Sequence, residues 1–320
     1  MMRRRELLLG MAGLAWTTPA SAQQPDAALR LTLGTATPGG SFPAFGRALI
    51  AAVHEVDPGL VVEPRITKGS TENLRLLKSA QLDLALVQGE YAYEALSSQS
   101  SDGVGLTVVA PIDASPGMFV VPASSLIQNV QDLRGHAVAL GTRGSGFTIM
   151  GRTVLQGSGI DPGHDITPVL LDDAGDGATQ VLDGRAAALW GASLGWPGFK
   201  TLADVPGGAR FFGPAPEAIP KILALRASMR RLTVPARSFP GQDAAIETVG
   251  SWSFILARPG LDTGSVTRLV RAIDRGRNTL ARLYPQGRES DPRNLVSNVP
   301  TTWLHPATAA YLREIGSVPE

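Results

Sequence analysis

Short apolar runs alternate along the chain with longer segments whose apolar residues follow helical spacing. In residues 42–56, apolar side chains recur every three or four positions, which predicts an amphipathic helix. The apolar runs 31–34 and 60–64 on either side of it are too short for helices and predict buried strands. The same order returns along the chain, with further strands predicted at 82–87, 136–140, 169–171 and 186–190. Strands that alternate with helices indicate an α/β fold with parallel strand pairs.

The strand–helix pattern begins again after Pro116, so we predict two α/β lobes with a ligand cleft between them. Residues 23–113 and 248–320 are assigned to lobe 1, and residues 114–247 to lobe 2. The apolar stretch 251–257 supports this assignment, because it is expected to return the chain to lobe 1.

Local patterns add three expectations. A hinge is expected where the chain crosses between the lobes, near 111–117 and 248–251. Residues 198–216 are rich in glycine and proline, which predicts a loop. Apolar residues on one face predict a single helix over 266–283.

The first 22 residues have the pattern of a cleaved export signal. Three arginines at 3–5 precede an apolar run at 7–16 and the small residues Ala-Ser-Ala at 20–22, which fits the three regions of a secretory signal peptide. We therefore predict a periplasmic protein that begins at Gln23, exported by the Sec or the twin-arginine route. A retained membrane anchor is the alternative. Removal of the signal takes away three Arg and one Glu, so the net charge of +1 becomes −1.

The composition narrows the possible chemistry. The 320 residues are 43% hydrophobic, which is enough for a full core, and the near-neutral charge argues against a nucleic-acid-binding surface. Cysteine is absent, so disulfides, thiolate metal sites and a cysteine nucleophile are excluded. The four histidines do not follow a metal-ligand spacing, and neither a G-x-G-x-x-G motif nor a P-loop lysine signature occurs. We therefore predict no cofactor and no nucleic-acid partner, and we expect a monomer.

Loops of small, flexible residues precede three predicted helices. They cover 35–41 and 68–71 in lobe 1 and 141–148 in lobe 2. A helix N-terminus offers unpaired N–H groups and the positive end of the helix dipole, which suits carboxylate or phosphate groups. The alternative is that the glycines serve only to make tight turns. Within the third loop, Arg143 is the candidate partner of an anionic group, with an ordinary exposed arginine as the alternative.

Tryptophan and serine residues in the second half of the chain supply further candidates. Trp190 and Trp252 are predicted to wall the cleft, with packing in the core as the alternative. Ser193 stands in Gly-Ala-Ser-Leu-Gly, which matches the G-x-S-x-G pattern of serine hydrolases. That pattern needs a helix soon after the serine, and the Trp-Pro-Gly sequence that follows disfavours one. An exported hydrolase acting through Ser193 is the less favoured alternative, and no enzymatic activity is predicted.

Several blocks of the chain, taken in order, resemble a known family. The segments LGTATPGGSF at 33–42, STENLRLL at 70–77 and DLALVQ at 83–88 are similar to the opening motif and the most recognisable block of TAXI-type solute-binding proteins. These proteins are the extracytoplasmic receptors of one branch of TRAP transporters. The resemblance extends over residues 31–316, because shorter matches follow in the family's order at 132–135, 144–146, 183–185, 240–242 and 304–306.

The resemblance implies a periplasmic-binding-protein-like fold whose two lobes close on a small solute. Members of the family bind small organic acids, including amino acids, and deliver them to a TRAP-type membrane permease. A binding protein for an ABC importer or a membrane sensor is the alternative, because the same two lobes serve there. The ligand-binding positions carried over from the family's motifs are Thr35, Gly40, Ser41, Phe42, Ser70, Asn73, Gln88, Ser145, Gly146 and Thr148.

Four positions depart from the family's pattern. Phe42 and Phe239 stand where the family often has tyrosine. Phe147 replaces a small polar residue, and Ala187 replaces an acidic one. These exchanges predict a cleft that is more apolar and more cationic than is usual in the family, and they disfavour glutamate as the solute.

Overall fold

Strands and helices alternate along the chain as the pattern predicts. The computed structural model describes residues 28–99 and 105–318, so the predicted export signal at 1–22 lies outside the described residues. The strands are β1 (Leu29–Gly34), β2 (Leu60–Arg65), β3 (Leu84–Val87), β4 (Thr107–Pro122), β5 (Ala137–Thr142), β6 (Thr167–Leu171), β7 (Ala188–Ala192), β8 (Ala209–Phe212), β9 (Arg230–Val234) and β10 (Ile246–Ala257). The α-helices are α1 (Ser41–Val56), α2 (Ser70–Lys78), α3 (Gly89–Ser97), α4 (Gly146–Gly157), α5 (Asp176–Leu182), α6 (Pro197–Ala203), α7 (Ile219–Leu225), α8 (Thr263–Arg275), α9 (Arg277–Leu283) and α10 (Pro306–Glu314).

The strands form two half-sheets that share two long strands. Neighbouring strands follow the order β2-β1-β3-β10-β4-β7-β5-β6, with β8 paired to β4 and β9 paired to β10. β1 is parallel to β2 and β3, and β5 is parallel to β6 and β7. β4 and β10 are antiparallel to each other and to their other neighbours. This is a mixed α/β sheet with the parallel pairs that the alternation predicts.

β4 and β10 pass from one half-sheet to the other. Most of β4 pairs with β10, and its last residues, from Gly117 onwards, pair with β7 and β8. β4 is buried over nearly its whole length, as expected of a strand with both faces covered. Pro111 lies where the register between β4 and β10 shifts, and such irregular positions tolerate a residue that lacks an N–H group.

Buried side chains form separate cores on the two half-sheets. The cores on β1 and β3 draw on residues 31–112 and 252–312. The cores on β5 and β7 draw on residues 118–249. We take these two groups as lobes 1 and 2, and the proposed boundaries at 113/114 and 247/248 lie inside the two crossing strands.

Two local expectations are wrong. Residues 198–216 are not a continuous loop, because they contain most of α6 and all of β8. α6 begins at Pro197, and proline fits the first turn of a helix, where the N–H group has no partner in any case. The helix expected over 266–283 is divided at Gly276 into α8 and α9. A Cβ at Gly276 would lie 2.9 Å from the carbonyl oxygen of Ala52, so α1 passes too close for a side chain.

Candidate functional site

A cavity lies between the two lobes, where the N-termini of α1, α2 and α4 meet. The cavity has a volume of about 50 Å³, which is room for a few water molecules. This is below the range of about 300–1,000 Å³ for pockets that hold small ligands, so a bound solute must be small or must hold the lobes further apart than they are here. Its walls come from the loops before these helices and from the ends of β5 and β7.

On the lobe 1 side, two helices begin at glycines that have no capping side chain. Gly40 and Gly69 are the N-cap residues of α1 and α2, and neither helix start has a side-chain cap. Gly69 has a φ of 102°, a conformation that glycine adopts without the steric cost paid by other residues. Both helix starts line the cavity. In α2 the backbone N–H of Thr71 already donates to the carbonyl oxygen of Gly144, so an anion would use the remaining N–H groups of the two helix starts.

On the lobe 2 side, hydrogen bonds fix the loop that leads into α4. Ser145 caps α4, because its Oγ accepts a hydrogen bond from the backbone N–H of Phe147 at 3.2 Å. Thr148 Oγ1 lies 3.1 Å from the carbonyl oxygen of Leu140 and 2.7 Å from that of Thr142, to which it donates. The end of β5 is thereby tied to the first turn of α4, and Thr142, Ser145 and Phe147 line the cavity.

Hydrogen bonds join the lobes at one side of the cavity. Trp196 Nε1 in lobe 2 donates to the carbonyl oxygen of Gly39 in lobe 1 at 3.0 Å. The backbone N–H of Gly175 donates to the carbonyl oxygen of Pro38 at 3.2 Å. The loop before α1 is therefore held directly against lobe 2.

Further hydrogen bonds cross between the lobes. The backbone N–H of Ala174 donates to Thr37 Oγ1 at 3.2 Å. At the start of α2, both the backbone N–H and the Oγ1 of Thr71 donate to the carbonyl oxygen of Gly144, at 3.4 and 3.2 Å. The structure thus has the two lobes in contact around the cavity.

The cavity brings together candidate residues from both lobes. Gly146 does not line the cavity but packs against Gln88, which does, because a Cβ at this glycine would lie 2.1 Å from Gln88 Oε1. The predicted site residues that line the cavity are Gly40, Ser41, Phe42, Ser70, Gln88, Ser145 and Trp190.

Three predicted site residues instead support the walls from behind. Asn73 is fully buried, and its Nδ2 donates to the carbonyl oxygens of Thr35 and Leu86 at 2.8 Å each. Thr35 Oγ1 donates to the carbonyl oxygen of Arg65 at 3.1 Å. Thr148 is used in the bonds at the start of α4 described above. These side chains satisfy backbone carbonyl groups at the ends of strands, which buried backbone requires, and they do not line the cavity.

Lys68, and not Arg143, supplies the charged side chain of the cavity wall. Both residues are exposed, and of the two only Lys68 belongs to the lining. Trp252 is also absent from the lining and packs against the core of lobe 1. Sequence reasoning missed Lys68, although a signal was available: it directly precedes Gly69, the N-cap of α2. Trp196 is a second indole in the wall.

A chain of buried hydrogen bonds runs from the cavity into the region where the lobes join. Gln88 Nε2 donates to Ser251 Oγ at 2.6 Å, and Ser251 donates to Glu90 Oε2 at 3.1 Å. Gln88 Oε1 accepts from the backbone N–H of Glu90 at 3.1 Å. Glu90 is 4% exposed, and this burial raises the pKa of its carboxyl to about 7. The chain holds the Gln88 amide in one orientation.

Ser193 lies in a buried cluster and not at an exposed turn. It is 1% exposed, with a φ of 72° in the left-handed region that is strained for serine. Its Oγ donates to Asp113 Oδ2 at 2.8 Å and lies 3.0 Å from the Tyr284 hydroxyl. Burial raises the pKa of Asp113. A helix, α6, does follow shortly after Ser193, so the expectation that the Trp-Pro-Gly sequence disfavours one is wrong.

His305 stabilises the start of α10 and is not hydrogen-bonded to Ser193. Its Nδ1 accepts from the backbone N–H of Ala307 at 3.2 Å at the start of α10, and its Nε2 lies 3.0 Å from the carbonyl oxygen of Leu261. Burial lowers the pKa of this imidazole.

Over the described ranges, three or more His, Cys, Asp or Glu residues are nowhere grouped as a metal site would need. No helix in those ranges has the length and apolar character to cross a membrane.

Solved structures with the same fold are periplasmic binding proteins of low sequence identity. BugD, a periplasmic binding protein, is 11% identical, with 92% of this chain and 99% of that chain covered and a TM-score of 0.57. The SsuA protein of a putative sulfonate ABC transporter from Methylobacillus flagellatus KT is 15% identical, with 91% and 96% covered and a TM-score of 0.50. An ancestral arginine-binding protein bound to arginine is 14% identical, with 80% and 97% covered and a TM-score of 0.50.

The family comparison covers nearly the whole described chain. The model of the NMT1-like family matches residues 33–316, from the end of β1 to just beyond α10. The match therefore includes both lobes and the cavity between them. The chain belongs to the NMT1-like family, and its architecture is the periplasmic-binding-protein fold.

Proposed function

We propose that this chain is an extracytoplasmic solute-binding protein that closes its two lobes on a small organic anion and presents it to a membrane importer. The observation that carries the proposal is the meeting of three helix N-termini, contributed by both lobes, at one cavity. Helix N-termini favour anions because their N–H groups lack partners and the dipole is positive there. Membership of the NMT1-like family and the shared fold support the same function.

The geometry suggests how closure and binding are linked. Lobe 1 offers the starts of α1 and α2, and lobe 2 adds the start of α4 only when the lobes meet. A solute that contacts both lobes binds the closed state more tightly and therefore shifts the population towards it. We propose that the hinge lies in the crossing strands, near 111–117 of β4 and 248–251 of β10.

The available donors are sufficient for useful affinity. Micromolar binding corresponds to about −8 kcal/mol. A hydrogen bond to a charged group contributes about 1.5–3 kcal/mol, so three or four such bonds from the helix starts and the Lys68 ammonium reach this value.

For the importer, we propose an ABC-type system in preference to a TRAP-type permease. The ABC reading draws support from the similarity to SsuA, which is the binding protein of a putative sulfonate ABC transporter. The TRAP reading rests on the resemblance of the sequence motifs to TAXI proteins. Uptake by cells that express the chain with its genomic neighbours distinguishes the two. ABC-type transport is expected to stop on depletion of ATP and to persist when an ionophore collapses the ion gradient, and the reverse result supports TRAP.

We also propose that the mature protein lies in the periplasm. Sequencing of the N-terminus of protein recovered from periplasmic extract is expected to begin at Gln23. A chain that keeps its first 22 residues and stays with the membrane fraction contradicts this part of the proposal and supports a retained anchor.

The main test is native mass spectrometry of protein purified from its own periplasm. We expect a carried-over small anion at one copy per chain, released unchanged on denaturation and rebound in titration calorimetry. A compound that the protein converts to a product contradicts the proposal and supports the hydrolase alternative. In that event, the Ser193→Ala variant is expected to abolish turnover. If the protein is purely a binding protein, a folded Ser193→Ala variant keeps its solute.

A further inference from the structure

The lining contains one charged residue among those described, and it is positive. Lys68 lines the cavity, and neither an aspartate nor a glutamate does so in the described part of the chain. Lys68 is exposed, its ammonium forms no ion pair with any described residue, and its backbone N–H donates to Glu72 Oε2 at 2.8 Å. Glu72 and Glu90 are bonded to lining residues but lie outside the lining themselves. The lining therefore attracts negative charge and offers no carboxylate to a positive group.

Two hydroxyl groups of the lining are available to a solute. Ser41 is 6% exposed and Thr142 is 7% exposed, and both line the cavity. Neither side-chain hydroxyl is hydrogen-bonded to another described residue, and neither oxygen is among the fully buried polar atoms, so both face the space of the cavity. One hydroxyl from each lobe can therefore donate to an acceptor of the solute.

Four acceptors in and beside the lining are already in use, and the nearby oxygens that have no donor, Asn73 Oδ1 and Glu90 Oε1, belong to residues outside the lining. The carbonyl oxygen of Gly39 accepts from Trp196, that of Gly144 accepts from Thr71, and that of Thr142 accepts from Thr148. The Gln88 side-chain oxygen accepts from the backbone N–H of Glu90. An ammonium group has three donors and no acceptor, so it has few partners in this cavity.

Aromatic side chains form the rest of the wall. Phe42 of lobe 1 and Phe147 of lobe 2 face each other with ring centroids 6.3 Å apart. Trp190 and Trp196 complete the apolar surface, and both indole N–H groups are bonded to backbone carbonyl oxygens, at 2.6 and 3.0 Å. Their rings thus contribute apolar area without unused donors, which suits an apolar solute body.

Building on the proposed function, we propose that the solute is a small monoanion with a carboxylate or sulfonate head and an apolar body, and that it carries no ammonium group. Lys68 faces the head, with Ser41 and Thr142 as further donors, and the four aromatic side chains enclose the body. An amino acid is disfavoured, because closing the lobes on its ammonium group strips water from a charge and returns no carboxylate partner.

Titration calorimetry with matched compounds tests this class. Leucine, 4-methyl-2-oxopentanoate, 4-methylpentanoate and butane-1-sulfonate share a similar apolar body and differ in the amino group and the head. Phenylalanine and 3-phenylpropanoate form a second, larger pair. We expect the compounds without an ammonium group to bind more tightly than their amino-acid partners by about tenfold or more, the loss expected for one unpaired charged group. The ratio of carboxylate to sulfonate affinity identifies the preferred head.

Two variants locate the head. Lys68→Met is expected to weaken binding of the preferred anion by about tenfold, because it removes a charge-assisted bond. Arg143→Met, the matched control in the opposite lobe, is expected to change the affinity by less than about threefold, as for an exposed charge. The reverse ranking assigns the head to Arg143 and overturns the role of Lys68.

The outcomes separate this inference from the proposed function. If leucine or phenylalanine binds as tightly as its deaminated partner, the solute class is wrong, and the solute-binding function stands. If no compound of either set binds, the class is also wrong, and the native mass spectrum decides the function. If the protein carries a solute of other chemistry, the proposed binding function stands. If the protein converts that compound into a product, the proposed function is wrong.

Discussion

Replacing Gly144 by alanine tests whether contact between the lobes is needed for tight binding. The φ of Gly144 is not in the left-handed region, so alanine causes no backbone strain within lobe 2. Its Cβ would lie 2.8 Å from the carbonyl oxygen of Lys68 in lobe 1, which is closer than a carbon and an oxygen approach. The lobes must separate at this point by several tenths of an ångström.

The expected loss of affinity follows from the bonds at the same place. The carbonyl oxygen of Gly144 accepts from Thr71 twice, at 3.4 and 3.2 Å. Each hydrogen bond contributes about 0.5–1.5 kcal/mol, so losing both costs the closed state about 1–3 kcal/mol. Binding coupled to closure then weakens by about 5- to 150-fold. The melting temperature without solute should not change, because the cores of both lobes are intact.

Calorimetry measures the affinity, and two fluorophores measure closure. The chain has no cysteine, so labels on cysteines introduced at the exposed Lys78 in lobe 1 and Gln156 in lobe 2 are specific. Gly163→Ala is the matched control, because this exposed glycine has a tolerant φ and a Cβ there would be 3.4 Å from its nearest neighbour. If Gly144→Ala binds and closes like this control, the contact around Gly144 does not couple to binding.

Three further predictions concern groups behind the cavity and at its rim. Asn73→Ala leaves the carbonyl oxygens of Thr35 and Leu86 without a donor, and should lower the free energy of unfolding in urea by about 2–4 kcal/mol. The pKa of Glu90 rises from 4.5 to about 7 on folding, so the folded state binds this proton more tightly and loses stability as the pH rises through that interval. Glu90→Gln should remove about half of this slope, because the pKa of Glu289 is raised to about 7 as well; the change is seen as a flatter dependence of the urea midpoint on pH. Trp196→Phe deletes the indole bond to lobe 1 and should weaken solute binding about two- to tenfold by calorimetry; an unchanged affinity excludes this bond from closure.

Periodicity predicts the elements whose faces differ in polarity. α1 follows from the recurrence of apolar residues over 42–56, because only one side of that helix is buried. β4 does not follow from pattern in the same way. Its 16 residues contain three prolines and are buried on both faces, so neither alternation nor a turn signal marks where it begins or ends.

The loops of the candidate site are predictable, but the roles of single side chains are not. The three loops before α1, α2 and α4 all reach the cavity, because the small residues that permit a helix start also permit close approach of a solute. Asn73 stands in the same motif as Ser70, yet its side chain donates to the carbonyl oxygens of Thr35, just after β1, and of Leu86 in β3. Lys68 and Arg143 are both cations in these loops, and only the packing of the two lobes distinguishes the one that lines the cavity.

The groups that recognise the anion are divided between the two lobes. Ser41 belongs to lobe 1 and Thr142 to lobe 2, and both line the cavity. Neither hydroxyl has a partner among the described residues, so each relies on water when no solute is bound. An anion that accepts from both hydroxyls makes its full set of hydrogen bonds only when the lobes meet. Binding therefore moves the equilibrium towards closure, because the solute completes hydrogen bonds that the two lobes alone leave unmade.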